Sequence, residues 1–235
     1  MTREEAVEKG LTDAQKRKLE ESLYKPLDEF LKRLKRKIKA MFAPLFVSGF
    51  DQLNIIMLSK QTSEMYLELD EFNRENYLAL VKHARKWVEK LLGKELPALD
   101  ARELVDKYLK GYDPVTQYVY TKEVDRKRMR LNEAISTARE YQDVVKLHKA
   151  VKKAADLWFT QSSQYALDLM LFEIREAIED DDGISLLRWN TQQDEKVCPD
   201  CNALDGKLFD ADTYPDPLHY NCRCYPTPEN PENLV

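Results

Sequence analysis

Between Val115 and Cys198 the chain has no proline, and from Pro199 onward it has six. A proline inside a helix removes one hydrogen bond and clashes with the preceding turn, so its distribution limits where long helices can run. Pro26, Pro44, Pro97 and Pro114 are widely spaced. The front of the chain therefore has room for long helices, and the end must be loops and short strands. Charged residues at 34% and only six glycines among 235 residues point the same way, to helices with wide solvated faces. A chain of this length can bury a substantial core, in one domain or two. The fold class expected is mainly α, a helical region followed by a small metal-stapled β-hairpin and loop domain, α+β taken together.

Apolar spacing places the helices. Leu19, Leu23, Leu27, Phe30, Leu34, Ile38 and Met41 recur at steps of three or four, one stripe of an amphipathic helix. Pro26 either kinks that helix or opens a second one as its first residue. A second helical region follows Gly49, within "DQLNIIMLSKQTSEMYLELDEF". A third carries Tyr77, Leu80, Val81, Ala84, Trp87, Val88 and Leu91 on one side, with Gly93 as its C-cap. "LDARELVDKYLKG" reads as a short helix capped by Asp100. "PVTQYVYT" alternates and reads as a short extended stretch. From about Lys122 to Asp180 the pattern suits two long helices. "GISLLRWNTQ" then changes period, with Leu186, Leu187 and Trp189 as a short strand. A boundary near Gly183 divides the chain into a helical region, 1–183, and a C-terminal tip, 184–235.

The net charge of −5 is uneven. From Asp180 onward there are 12 acidic and 4 basic side chains, a balance of −8, which leaves +3 for the first 179 residues. The tip is a poor candidate for binding nucleic acid by bulk charge. On the first helix, Lys32, Arg33, Lys35, Arg36, Lys37 and Lys39 lie off the apolar stripe. They are either a solvated face or a basic face for DNA phosphates or an acidic protein surface. No apolar run approaches the roughly 20 residues of a membrane span, and the N-terminus lacks a signal-peptide core. A soluble protein made in a reducing cytosol is expected.

All four cysteines and one of the three histidines fall between Val197 and Cys224. In a reducing compartment such clustering indicates a metal more often than disulfides. Cys198 and Cys201 form C-P-D-C, whose two-residue gap lets both thiolates grip one ion. His219, Cys222 and Cys224 follow in "HYNCRC". Tetrahedral zinc takes four ligands, so Cys222 and Cys224 compete for the last position beside Cys198, Cys201 and His219. Enough ligands exist to close the site, which favours structural over catalytic Zn2+ and would supply folding energy to a loop-rich segment. Between the two knuckles, "ALDGKLF" reads as a hairpin turned at Asp205-Gly206. His83 and His148 read as ordinary helix residues. Asp180, Asp181 and Asp182 read as an acidic helix end. No phosphate loop, HExxH or nucleophile elbow occurs.

"RWNTQQDEKVCPDCNALDGKLF" followed by "PLHYNCRC" resembles the C-terminal signature of the phage Mu protein F-like family, the minor head or head-morphogenesis proteins of tailed bacteriophages. The matching positions are Trp189, Thr191, Asp194, Val197, Cys198, Cys201, Asp205, Gly206, Pro217, His219, Asn221, Cys222, Arg223 and Cys224. Family members often carry an "ARTE"-like helix shortly before the Trp. Here "STARE" lies roughly 50 residues upstream, and "EIREAIE" is a looser counterpart. The resemblance implies a non-enzymatic virion protein inside the head near the portal vertex, present in the host cytoplasm during assembly. It also implies a role in head morphogenesis, packaging or DNA ejection. Its partners would be the portal protein and scaffold or capsid protein, with non-specific contact to packaged DNA and none to membrane. Two other functions compete. A treble-clef nuclease of the HNH kind would pair a metal-bound histidine with a second histidine near Asn221. A zinc-ribbon DNA-binding protein would need a basic tip, against the −8 balance.

Overall fold

The protein is described by a computed structural model over residues 12–43, 55–110, 126, 129–137, 140, 143–219 and 222–230. Five long or medium helices come first: α1 (Asp13–Leu23), α2 (Lys25–Phe42), α3 (Ile55–Leu92), α4 (Ala101–Lys110) and α5 (Val144–Glu179). Residues 129–137 are also helical. The end of the chain adds β1 (Leu186–Asn190), α6 (Pro199–Leu204), β2 (Leu208–Asp210) and β3 (Tyr225–Pro228). No helix among the described residues is long and apolar enough to cross a membrane.

Local chemistry explains most boundaries. Thr12 caps α1 by a reciprocal capping box with Gln15. Between α1 and α2 the chain bends at Tyr24, and Pro26 is the second residue of α2, where its missing N–H costs nothing. The stripe predicted across this region is buried: Leu23, Leu27, Phe30, Leu34, Ile38 and Met41 are all at most 9% exposed. The second and third predicted helical regions are one helix, α3. No glycine or proline interrupts residues 55–92, so nothing breaks it before Gly93, whose φ of +68° ends it. Asp100 Oδ1 accepts the amides of Arg102 at 2.9 Å and Glu103 at 3.4 Å, capping α4 as expected. The predicted extended stretch "PVTQYVYT" lies outside the described residues.

The chain divides into two compact units. One comprises Asp28–Leu78 and Asp100–Ser163. Its core holds Phe30, which meets Tyr77 edge-on at 6.0 Å, and Tyr66 against Trp158 at 4.9 Å. Buried Asn73 donates to Ser162 Oγ at 2.8 Å, so that polar pair is partly satisfied within the apolar interior.

The other unit comprises Met1–Leu27, Ala79–Leu99 and Gln164–Val235. Here the C-terminal strands fall in the same unit as helical segments, and residue 183 belongs to that unit. The three strands form an antiparallel sheet in the order β2-β1-β3. Leu187 and Trp189 on β1 alternate with Arg188 and Asn190, so the sheet presents two faces. On one face Trp189 packs with the cysteines. On the other, Tyr225 meets Trp87 edge-on at 5.9 Å and donates its hydroxyl to Glu20. Trp87 Nε1 donates to Leu19 O at 3.0 Å.

The predicted β-hairpin is not formed. Leu204 ends a helix, not a strand, and β2 pairs with β1. Pro199 in the first turn and the Cys198 sulfur accepting the Cys201 amide start a helix that runs on through Leu204, the residue expected to flank the hairpin turn. Asp205-Gly206 does turn the chain, with Gly206 at φ +76°, but it joins helix to strand.

Candidate metal centre

The backbone of the two knuckles is held from several directions. In the first, Cys198 Sγ caps α6 by accepting the Cys201 amide at 3.3 Å. In the second, the Cys222 amide closes a turn on His219 O at 3.2 Å. Arg175, on α5, donates to the carbonyl of Cys224 and lies 3.4 Å from that of Cys222. Arg223 makes a bidentate pair with Asp194 at 2.7 and 2.5 Å. Gln192 donates to Arg223 O at 2.9 Å and to the Tyr24 hydroxyl. Thr191, 1% exposed, gives both its amide and its hydroxyl to Asp205 Oδ1, at 2.8 and 2.9 Å.

These constraints bring all five predicted ligands into two overlapping groups that could hold a metal ion. Cys198, Cys201 and His219 form one, and Cys201, Cys222 and Cys224 the other. Within each group the ligand atoms lie within 4.8 Å of one another. His219 Nε2 is 3.2 Å from Cys198 Sγ and 3.3 Å from Cys201 Sγ. Cys201 Sγ is 3.8 Å from Cys222 Sγ. All four cysteines are free thiols, so no disulfide competes for them. Trp189, Val197, Leu204, Phe209 and Tyr214 pack around the cluster, and Trp189 stacks on Tyr214 at 5.5 Å.

Crowding sets the protonation of the thiols. Cys222 falls to about 5, because Cys224 donates a hydrogen bond to its sulfur and Arg175 lies close. Cys201 is pushed up to about 12 by burial and by its bond with Cys198. Cys224 is raised, first by that same bond to Cys222 and then by burial. Thiolates packed this closely would oppose each other. A divalent cation removes that opposition.

The remaining predicted residues have plainer surroundings. Lys32 pairs with Asp28 at 2.5 Å. Arg33 donates to Asn76 at 2.7 Å, Lys37 pairs with Glu68, and Lys35 sits 4.5 Å over the Phe159 ring. Arg36 donates to the Lys32 carbonyl at 3.3 Å, and Lys39 is exposed. The basic face thus makes much of its contact within its own unit. His83 is half-buried with Nε2 3.3 Å from Ser22 O, and His148 is exposed on α5. Of the described histidines, His219 alone joins the metal groups. Asp181 accepts from the Gly183 amide at 3.0 Å and pairs with Lys94 at 2.6 Å, an internally bonded helix end. Asn221 lies outside the described residues.

Arg175 and Gln192 are the supporting residues that local pattern did not reveal. Arg175 belongs to "EIREAIE" near the end of α5. Gln192 had no signal beyond its place between Thr191 and Asp194.

A larger cleft, ≈210 Å³, opens on the opposite face of the sheet between Arg17, Trp87, Arg188 and Asn190. Its carboxylates are already bonded, Glu20 by Tyr225 and Asp205 by Thr191. The groups that could hold a metal lie instead beside the smaller cysteine cavity. Comparison of the chain with protein-family models, curated proteins and solved structures finds no match.

Proposed function

We propose that this chain is a structural minor head protein of a tailed bacteriophage, carrying a zinc-stapled tip and acting near the portal vertex in head assembly or DNA delivery. The observation that carries it is the way the residues resembling the phage Mu protein F-like signature interlock. Trp189 packs on the cysteines, Thr191 bonds Asp205, and Asp194 bonds Arg223, around one candidate metal centre. A signature whose members support one another and one ion is that of a structural module rather than a reaction site.

Zinc suits the donor set. Bonds of about 2.3 Å to sulfur and 2.0 Å to nitrogen give tetrahedral edges of about 3.8 Å between sulfurs and 3.5 Å between sulfur and nitrogen. The spacings of 3.8, 3.3 and 3.2 Å are near these values. Soft thiolates with one imidazole select zinc over the hard cations. Cys198, Cys201 and His219 would supply three ligands, and Cys222 or Cys224 the fourth. The ion's role is to hold α6 and the HYNCRC segment together while the helices meet the portal or scaffold. The exposed Lys32, Arg33, Lys35, Arg36 and Lys39 offer a salt-dependent contact to packaged DNA.

The test is copurification with portal protein from phage-infected cells. The proposal expects the chain in heads or assembly intermediates. Its absence from mature heads and every intermediate overturns the assignment.

A further inference from the structure

The five donors do not surround one point. Cys198, Cys201 and His219 form one triad, and Cys201, Cys222 and Cys224 a second, each with its ligand atoms within 4.8 Å of one another. Among the described residues no fourth donor joins either triad within that distance. Ligands of a single ion lie at most two bond lengths apart, about 4.6 Å for sulfurs on zinc. The donors as placed therefore face two positions, and the Cys201 sulfur borders both. Resting on the reading above that these side chains bind metal, we propose that the cluster is also a binuclear site for a soft monovalent ion, copper(I), with one ion in each triad and Cys201 bridging them.

The second triad has the chemistry of a soft ion. All three of its donors are sulfur, and Cys201, Cys222 and Cys224 are 2%, 5% and 4% exposed. Trp189 packs against them, with Phe209 and Tyr214 alongside. A hard cation would give up its water here for sulfurs it binds poorly, whereas a soft one gains the ligands it prefers. A structural zinc centred on this triad would lack its fourth ligand. Copper(I), with a filled d shell, accepts three donors in a plane, so a triad is a full set for it. At a metal–sulfur length near that of zinc, three coplanar sulfurs stand about 4.0 Å apart. The Cys201 and Cys222 sulfurs are 3.8 Å apart. The first triad borders a space of ≈20 Å³, room for about one ion. Cys224 also lines that space, so the two positions adjoin, as a shared sulfur requires.

Charge permits the exchange. Two monovalent ions carry the charge of one zinc, so replacing one by the other on the same thiolates leaves the cluster's charge unchanged. The Arg175 guanidinium, which donates to the Cys224 carbonyl, stays beside the second triad in either state. No electron changes hands: two copper(I) ions enter, one zinc ion leaves, and every sulfur keeps its oxidation state.

The experiment titrates the full, zinc-loaded chain with copper(I) under anaerobic conditions. Native mass spectrometry counts the bound metal, and X-ray absorption reads whether the coppers are neighbours. The expected result is two copper(I) ions per chain at saturation, one zinc released, and a copper–copper scattering path. Cys222→Ser should keep one copper and lose that path, and Cys201→Ser should lose it too. Saturation at any number other than two overturns the proposal, as do two coppers without a copper–copper path or a path that survives in Cys201→Ser. The wild-type count and scattering decide even if a variant fails to fold. A chain that takes up zinc but only one copper defeats this proposal alone, and a chain that takes up neither metal defeats the reading beneath it as well.

Discussion

Arg85 and Glu173 face each other at 2.6 Å, with side chains 17% and 5% exposed. Burial pushes the Glu173 carboxyl up from its ordinary value, and the bond from Arg85 draws it partly back. Breaking such a pair from one side leaves a buried charge alone. Arg85→Ala should therefore cost about 3–5 kcal/mol in denaturant unfolding at neutral pH. With the guanidinium gone the Glu173 pKa rises further, so the loss should shrink as acid protonates it in both states. Asp194 behaves with the opposite sign. Its bidentate bonds from Arg223 hold it at about 2, below the ordinary 3.8. The stability it contributes is present above about 4 and lost as the pH falls through about 2. Its side chain is 36% exposed, so the contribution is about 1 kcal/mol. Asp194→Asn should remove that amount at pH 7 and flatten this part of the acid limb, read from thermal midpoints at pH 7 and pH 3. Neither pair could be read from the sequence, since nothing local ties Arg85 to Glu173 or Asp194 to Arg223.

The elements show which local signals survive tertiary context. Periodicity located the stripe from Leu23 to Met41 because every third or fourth residue there is apolar and the face it makes is buried. It divided α3 in two, since a long helix packed on changing neighbours shifts its buried face and blurs the pattern. In the tip, Asp205-Gly206 was recognised as a turn, but its partners were misassigned. A sulfur cap at Cys198 and Pro199 after it favour α6, and a thiol is not among the preferred N-cap groups that signal a helix start. Gly206 tests this element directly. At φ +76° and with nothing within 4 Å of an added Cβ, Gly206→Ala meets backbone strain without a clash. It should cost about 1 kcal/mol in unfolding experiments, and a loss above about 3 kcal/mol would mean the turn is packed rather than merely left-handed. Trp189, 1% exposed against the cysteines, should cost about 3–5 kcal/mol on replacement by alanine.

At the scale of the molecule, composition and proline placement made the helical majority and the loop-rich end legible, and cysteine spacing made the candidate ligands legible. Arg175, Tyr24 and Gln192 were not, because they meet the tip across tens to hundreds of residues of chain. Those contacts set the tip within a unit that also includes α1 and the end of α5. Metal removal should consequently do more than melt the last segment. Chelation is expected to change tryptophan fluorescence through Trp189 and Trp87 and to lower the stability of this unit, while most far-UV helical signal remains. The central claim is that the cysteine cluster holds one ion, and metal analysis of the full chain purified without chelator tests it most directly. The account predicts one zinc per chain, lost in Cys198→Ser and in Cys201→Ser. A chain that carries no metal and takes up none when zinc is supplied contradicts it.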